Sequence, residues 1–104
     1  MAYYTIDSYA VRMWSSRPTT DLTGTAVAGI FLFEGGTFRG YAYFFPDGTP
    51  LQPAVIDAGN GQIYVHYNLS QLHSVLHMLR EESPIYLYEF GTSNAGLQSG
   101  WVPT

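Results

Sequence analysis

The order of apolar and polar residues along the chain predicts strands over most of its length. The clearest signal is residues 25–45, where two runs rich in β-branched and aromatic residues flank Gly35–Gly36. A two-residue glycine loop supplies the positive φ angles that a tight hairpin turn requires. The pattern predicts an antiparallel hairpin with Phe33 opposite Phe38, and this pairing sets the register of both strands.

The predicted register divides the hairpin side chains between two faces. The face expected to carry a helix combines large apolar residues with a trough of small ones: Val27, Gly29, Phe31, Phe33, Gly40, Ala42 and Phe44. The other face carries Ile30, Leu32, Tyr41, Tyr43 and Phe45. An antiparallel sheet with one face in water normally has polar residues on that face. We therefore expect this second face to be covered by another chain, by a curled sheet, or by the C-terminal residues Leu97, Trp101 and Val102.

Four further strands and one helix complete the prediction. The strands cover residues 3–14, 51–57, 62–67 and 85–90. Pro53 makes the second of these an edge strand, and neither side of 3–14 is cleanly apolar. A helix over 69–82 is predicted from five residues at helical spacing: Leu69, Leu72, Val75, Leu76 and Leu79.

The element order β-β-β-β-β-α-β predicts an α+β domain that covers residues 1–104. We expect a single, mainly antiparallel, twisted sheet of about six strands, with the one helix packed on one face. Residues 91–104 are polar and contain glycine, so we expect them to form a loosely structured tail.

Composition narrows the classes of function. The chain has 104 residues, 12% of them charged, no lysine and a formal net charge of -4, which argues against nucleic-acid binding. No apolar run has the roughly 18 residues that a membrane span requires, and no signal peptide is recognisable. The absence of cysteine removes disulfides and thiolate metal sites. We expect a cytoplasmic protein.

Three histidines form the first candidate site. His73 and His77 are four residues apart on the predicted helix, and His66 ends the strand before it. Three imidazoles that converge would bind zinc or another divalent transition metal. Histidines that border the buried face of a helix explain the same spacing without any metal.

Arg39 forms the second candidate site, with Tyr41 and Tyr43 on the same predicted strand face. An arginine among tyrosines can bind a carboxylate or a phosphate of a small ligand. Alternatively, the aliphatic part of Arg39 lies along the sheet and its guanidinium pairs with Glu34.

The function predicted from these patterns is a small, non-catalytic, bacterial-type binding or assembly module. Nine tyrosines and few charges favour self-association through the second hairpin face, as a homo-oligomer and most simply as a two-fold dimer. The alternative is a small enzyme or metal-binding protein centred on His66, His73 and His77. No set of residues matches a catalytic signature, and the identity of any further protein or small-molecule partner stays open.

Overall fold

The computed structural model describes residues 2–15, 25–91 and 93–104. These residues form an α+β fold that consists mostly of strands, as the sequence predicts. The elements are β1 (Ala2–Ile6), β2 (Ser8–Met13), β3 (Ala28–Glu34), β4 (Thr37–Phe45), β5 (Val55–Ile56), β6 (Ile63–Asn68), α1 (Leu72–Glu81), β7 (Ile85–Glu89) and β8 (Ala95–Ser99). A 3₁₀ turn, Leu69–Gln71, leads into α1. No helix in the described parts is long and apolar enough to cross a membrane.

The strands form two sheets, so the prediction of a single sheet of about six strands is wrong. Three strands are ordered β1-β7-β8, and five are ordered β2-β3-β4-β6-β5. The predicted strand 3–14 is interrupted at Asp7, and its two halves join different sheets. A strand that bends from one sheet into another makes a corner between them.

The bend at Asp7 also changes which residues face the core. Tyr4 and Ile6 pack against the core from β1, whereas Tyr9 does so from β2. The inward positions are therefore even-numbered before Asp7 and odd-numbered after it. This switch explains why neither side of residues 3–14 is cleanly apolar in the sequence.

The register of the β3–β4 hairpin shifts by one residue beyond its turn. Phe33 pairs with Phe38 as predicted, but Leu32 pairs with Gly40, which leaves Arg39 as the extra residue of a β-bulge. From there on, Ile30 pairs with Ala42. The predicted pairing of Phe31 with Gly40, and the face assignment built on it, are therefore wrong.

The bulge places a different set of side chains in the core. Fully or almost fully buried residues from the five-stranded sheet are Ala28, Ile30, Leu32, Ala42, Phe44, Ile63 and Val65. They pack in one cluster with Ile85 and Leu87 of the other sheet and with Leu72 and Val75 of α1. The helix predicted from the residue spacing is confirmed. It packs on the sheet face that carries Ile30 and Leu32, whereas the predicted register placed these two residues on the face away from the helix.

Three further elements differ from the sequence prediction. Strand β6 pairs with β4 in parallel, and the predicted strand 51–57 is reduced to the two residues of β5. Residues 95–99, predicted to belong to a loose tail, instead form β8 and pair with β7. In their AGLQS sequence only Ala95 and Leu97 are apolar, and both pack against the core. Two apolar residues are too few to indicate a strand, and pairing with β7 orders this segment.

Candidate functional site

The outward side of the five-stranded sheet, opposite α1, carries a continuous group of aromatic side chains. We call this group the aromatic face. Its members are Trp14, Phe31, Phe33, Phe38, Tyr41, Tyr43, Tyr64 and His66, and each is partly exposed. Partly exposed rings that contact one another over several strands form a surface suited to binding.

Three tyrosines form the centre of the aromatic face. The parallel pairing of β4 with β6 places Tyr41 opposite Tyr64, and their rings stack with centroids 4.5 Å apart and planes 17° apart. Tyr43 stacks on the other side of Tyr41, with a centroid distance of 3.9 Å and an interplanar angle of 24°. The three rings therefore turn their flat sides to one another and their edges towards solvent.

Gly29 lets the rings of Trp14 and Tyr43 lie close to the backbone. Trp14 and Tyr43 make an edge-to-face contact with centroids 5.4 Å apart, above Gly29. A β-carbon added to Gly29 would lie 3.0 Å from atoms of both rings. Gly29, predicted to let a helix approach the sheet closely, therefore makes room for Trp14 and Tyr43 on the opposite face.

Phenylalanines extend the aromatic face towards the hairpin turn. Phe31 contacts Tyr43 edge-on at 6.3 Å and Phe38 at 6.2 Å. Phe38 in turn lies 5.7 Å from Phe33. The guanidinium of Arg12 lies 5.1 Å from the centre of the Phe31 ring, which is the geometry of a cation–π interaction.

His66 lies at the other end of the aromatic face, edge-on to Tyr41 with centroids 6.5 Å apart. Its Nδ1 lies 3.0 Å from the carbonyl oxygen of Gln52, which can only accept a hydrogen bond, so this contact requires a proton on Nδ1. Burial lowers the pKa of His66 below its ordinary value of 6.5, and backbone hydrogen bonds only partly oppose this effect. The imidazole is therefore neutral at pH 7.

The structure divides the five residues predicted for a self-association surface. Ile30 and Leu32 are 0% exposed within a single chain, so neither is available to a second copy. Phe45 is 3% exposed and lies beside His66 at 5.8 Å. The bulge at Arg39 turns Ile30 and Leu32 to the core. Of the three predicted residues on β4, Tyr41 and Tyr43 are partly exposed on the aromatic face, whereas Phe45 is buried.

The bulge also determines where the Arg39 guanidinium lies. It forms an ion pair with Glu34 at 2.9 Å, and its central carbon is 4.3 Å from the centre of the Tyr4 ring. Tyr4 packs against the core, whereas Tyr41 and Tyr43 stack on each other at the aromatic face. The alternative considered for Arg39, an ion pair with Glu34, is the arrangement observed, and Arg39 is engaged away from the tyrosine pair.

The three histidines do not form the predicted metal site. Among the described residues, no group of three or more His, Cys, Asp or Glu side chains is arranged to hold a metal ion. His73 and His77 are exposed on α1, which packs on the core side of the sheet. His66 alternates with the buried Val65 and so points to the other side.

One cleft in the described structure lies at the corner between the sheets. It has a volume of about 560 Å³ and is lined in part by Asp7, Glu82 and Pro84. Asp7 accepts a hydrogen bond from the Gly35 N–H, and Glu82 accepts one from the Ser99 hydroxyl. Both carboxylates therefore have structural hydrogen-bond partners.

Comparison of this chain with family models, curated proteins and solved structures found no match. The candidate site therefore depends on geometry alone. The sequence interpretation omitted Trp14 and Tyr64 from any site and placed Phe31 and Phe33 on the helix side. In the sequence, Tyr64 and His66 alternate with Ile63 and Val65. This alternation was the signal that could have placed the two rings on the outward side of β6.

Proposed function

We propose that this chain is a non-catalytic assembly module whose copies associate through the aromatic face of the five-stranded sheet. The observation that carries the proposal is the unbroken set of ring contacts from His66 through Tyr41 and Tyr43 to Phe31, in which every ring keeps part of its surface exposed. Aromatic side chains are enriched in protein interfaces because one side chain combines large contact area with a polar tip.

The orientation of the tyrosine rings favours a protein partner over a sugar. A sugar ring stacks on the open flat side of an aromatic ring, but Tyr41 has Tyr43 against one side and Tyr64 against the other. The rings of Tyr41, Tyr43 and Tyr64 are each partly exposed at this surface. Such a surface suits packing against a second, similar sheet face, where edge-to-face contacts between rings are favourable.

The charge pattern supports association between identical copies. Arg12 is the only charged residue at a regular outward position of β2, β3, β4 and β6, and its guanidinium lies over Phe31. With 12% charged residues and no lysine in the whole chain, little electrostatic repulsion opposes contact between copies. A two-fold axis lets one such surface serve both partners. The cytoplasm is the compartment we propose, on the absence of cysteine.

Light scattering coupled to size exclusion tests this function at tens of micromolar protein. We expect a wild-type mass that is a multiple of the 11.6 kDa chain mass. Tyr43→Glu places a charge in the aromatic face and should at least halve that mass. Tyr3→Glu is the matched control, because Tyr3 is an exposed tyrosine on the other sheet. A wild-type mass of 11.6 kDa, or equal effects of the two substitutions, would contradict the proposal.

A further inference from the structure

The outer edges of the two sheets differ in how their backbone groups are satisfied. At the edge of β1, the Thr5 N–H donates to the Glu34 carboxylate at 3.1 Å. At the edge of β8, the Leu97 N–H donates to the Tyr67 hydroxyl, also at 3.1 Å. Strand β5 is two residues long and follows closely after Pro53. Side-chain caps, short length and proline are recognised ways of preventing an edge from pairing with another strand.

Strand β2 forms the fourth edge. Its pairing with β3 determines which of its backbone groups point outward, away from β3. The Trp14 N–H donates to the Val27 carbonyl at 3.0 Å. Because hydrogen-bonding direction alternates along an antiparallel strand, the backbone groups of Tyr9, Val11 and Met13 point away from β3. Within the described parts of the chain, no strand or side chain pairs with these outward groups.

The side chains of β2 do nothing to block a second strand. Val11 is 44% exposed and Met13 is 61% exposed, so two apolar side chains of this strand are open to solvent. The strand contains no proline, and its one charge, Arg12, is on the aromatic side over Phe31. Among the described residues this edge of six residues is extended, apolar and uncapped, and such an edge is a template for strand pairing.

We infer that β2 pairs with β2 of a second copy, antiparallel and about a two-fold axis, so that two five-stranded sheets become one sheet of ten strands. Antiparallel pairing of a strand with its own copy is self-complementary, because each outward donor meets an outward acceptor of the same three residues. Val11 and Met13 of the two copies then lie side by side and lose their exposure to water. This contact uses a different surface from the aromatic face and does not require it.

The two contacts are compatible in geometry. Tyr9, Val11 and Met13 all point to the core side of the sheet, so edge pairing leaves both aromatic faces on the same side of the ten-stranded sheet. Two such sheets can then stack through their doubled aromatic faces into a tetramer with three two-fold axes. The edge contact alone gives a dimer.

Disulfide trapping tests the edge contact directly, because the chain has no cysteine of its own. Residues opposite each other across an antiparallel pair have Cα atoms about 4.5–5.5 Å apart, which is within the range for a disulfide. We expect Ala10→Cys or Val11→Cys, whichever lies on the two-fold axis, to give a covalent dimer on mild oxidation. Val55→Cys is the matched control, because Val55 is a valine of similar exposure, 48%, at the opposite edge of the same sheet.

Charge substitution separates this inference from the proposed function. Val11→Lys should halve the mass measured by light scattering, whereas Val55→Lys should leave it unchanged. If Tyr43→Glu has no effect but the β2 cysteines still cross-link, the aromatic-face function fails and the edge pairing stands. If no β2 cysteine cross-links, or if Val55→Cys cross-links equally well, the edge pairing is overturned. Binding of β2 to an extended strand of another protein would not rescue it.

Discussion

Gly40 lies so close to β6 that a β-carbon added to it would be 1.8 Å from the carbonyl oxygen of Ile63. That distance is far inside van der Waals contact, and the obstacle is backbone that cannot rotate away. Gly40 directly follows the bulge residue Arg39. The close approach of β4 to β6 therefore depends on glycine at this position.

Gly40→Ala is expected to destabilise the fold by about 3 kcal/mol or more, because relief of the clash requires the two strands to separate. Gly59→Ala is the control. A β-carbon there meets only the end of the Asp57 side chain, at 3.2 Å, and the cost should be about 1 kcal/mol or less. Urea unfolding of both variants measures the difference, and equal midpoints would contradict the described pairing of β4 with β6.

Leu32→Ala tests the corrected face of the hairpin. Leu32 is fully buried in the core, so its truncation should reduce the free energy of unfolding by about 2–5 kcal/mol. Leu51→Ala removes the same atoms from an exposed position and should cost about 1 kcal/mol or less. If Leu32→Ala instead changed the oligomeric mass and left stability intact, Leu32 would lie at an interface, as the unshifted register predicts.

The Arg39–Glu34 ion pair should make a small, salt-sensitive contribution to stability. Both side chains are about one-third exposed, so solvent screens their attraction. In a double-mutant cycle with Arg39→Gln and Glu34→Gln, we expect a coupling energy of about 0.2–1 kcal/mol. The coupling should decrease in 1 M salt. A coupling energy that is unchanged by salt would contradict the expectation that a solvent-screened ion pair accounts for it.

His66 should make the fold less stable in mild acid. Its pKa is lowered in the folded chain, so the unfolded chain binds a proton more readily. Above the unfolded pKa of about 6.5, the contribution of the neutral imidazole to the free energy of unfolding is complete. This contribution is lost as the pH falls from that value towards the lower pKa of the folded chain. His66→Gln, which keeps a donor for the Gln52 carbonyl, removes this dependence.

The measurement for His66 is the difference in unfolding free energy between wild type and His66→Gln at pH 7.5 and at pH 5.5. At pH 5.5 the free energy of unfolding of the wild type should be lower, relative to that of His66→Gln, than it is at pH 7.5. His73→Gln serves as the control for loss of an exposed histidine. A difference that is the same at both pH values would show that burial of His66 does not disfavour its charged form.

Local patterns in the sequence identified the elements that local contacts stabilise. Gly35–Gly36 located the hairpin turn, and the spacing of Leu72 and Val75 located the helix, because turns and amphipathic helices depend on residues a few positions apart. The Phe33–Phe38 pair was correct because it adjoins the turn.

The errors came from features that only the tertiary arrangement defines. The sequence signal for the bulge at Arg39 was a single glycine, Gly40, inside a predicted strand, and one extra residue exchanges the two faces of a strand. The bend at Asp7 exchanges the faces of the first strand in the same way. These two shifts removed Ile30 and Leu32 from the predicted interface and left the aromatic face, including Trp14 and Tyr64, unrecognised as a unit.

The most direct test of the account is to detect which side chains touch across the contact between copies. Isotope-filtered nuclear Overhauser spectra of a mixture of labelled and unlabelled chains report only contacts between different copies. We expect cross-peaks between the rings of Tyr41, Tyr43 or Tyr64 in one copy and aromatic protons of the other. Spectra in which these rings show no contact between copies, while the chain associates, would contradict the assignment of the aromatic face as the assembly surface.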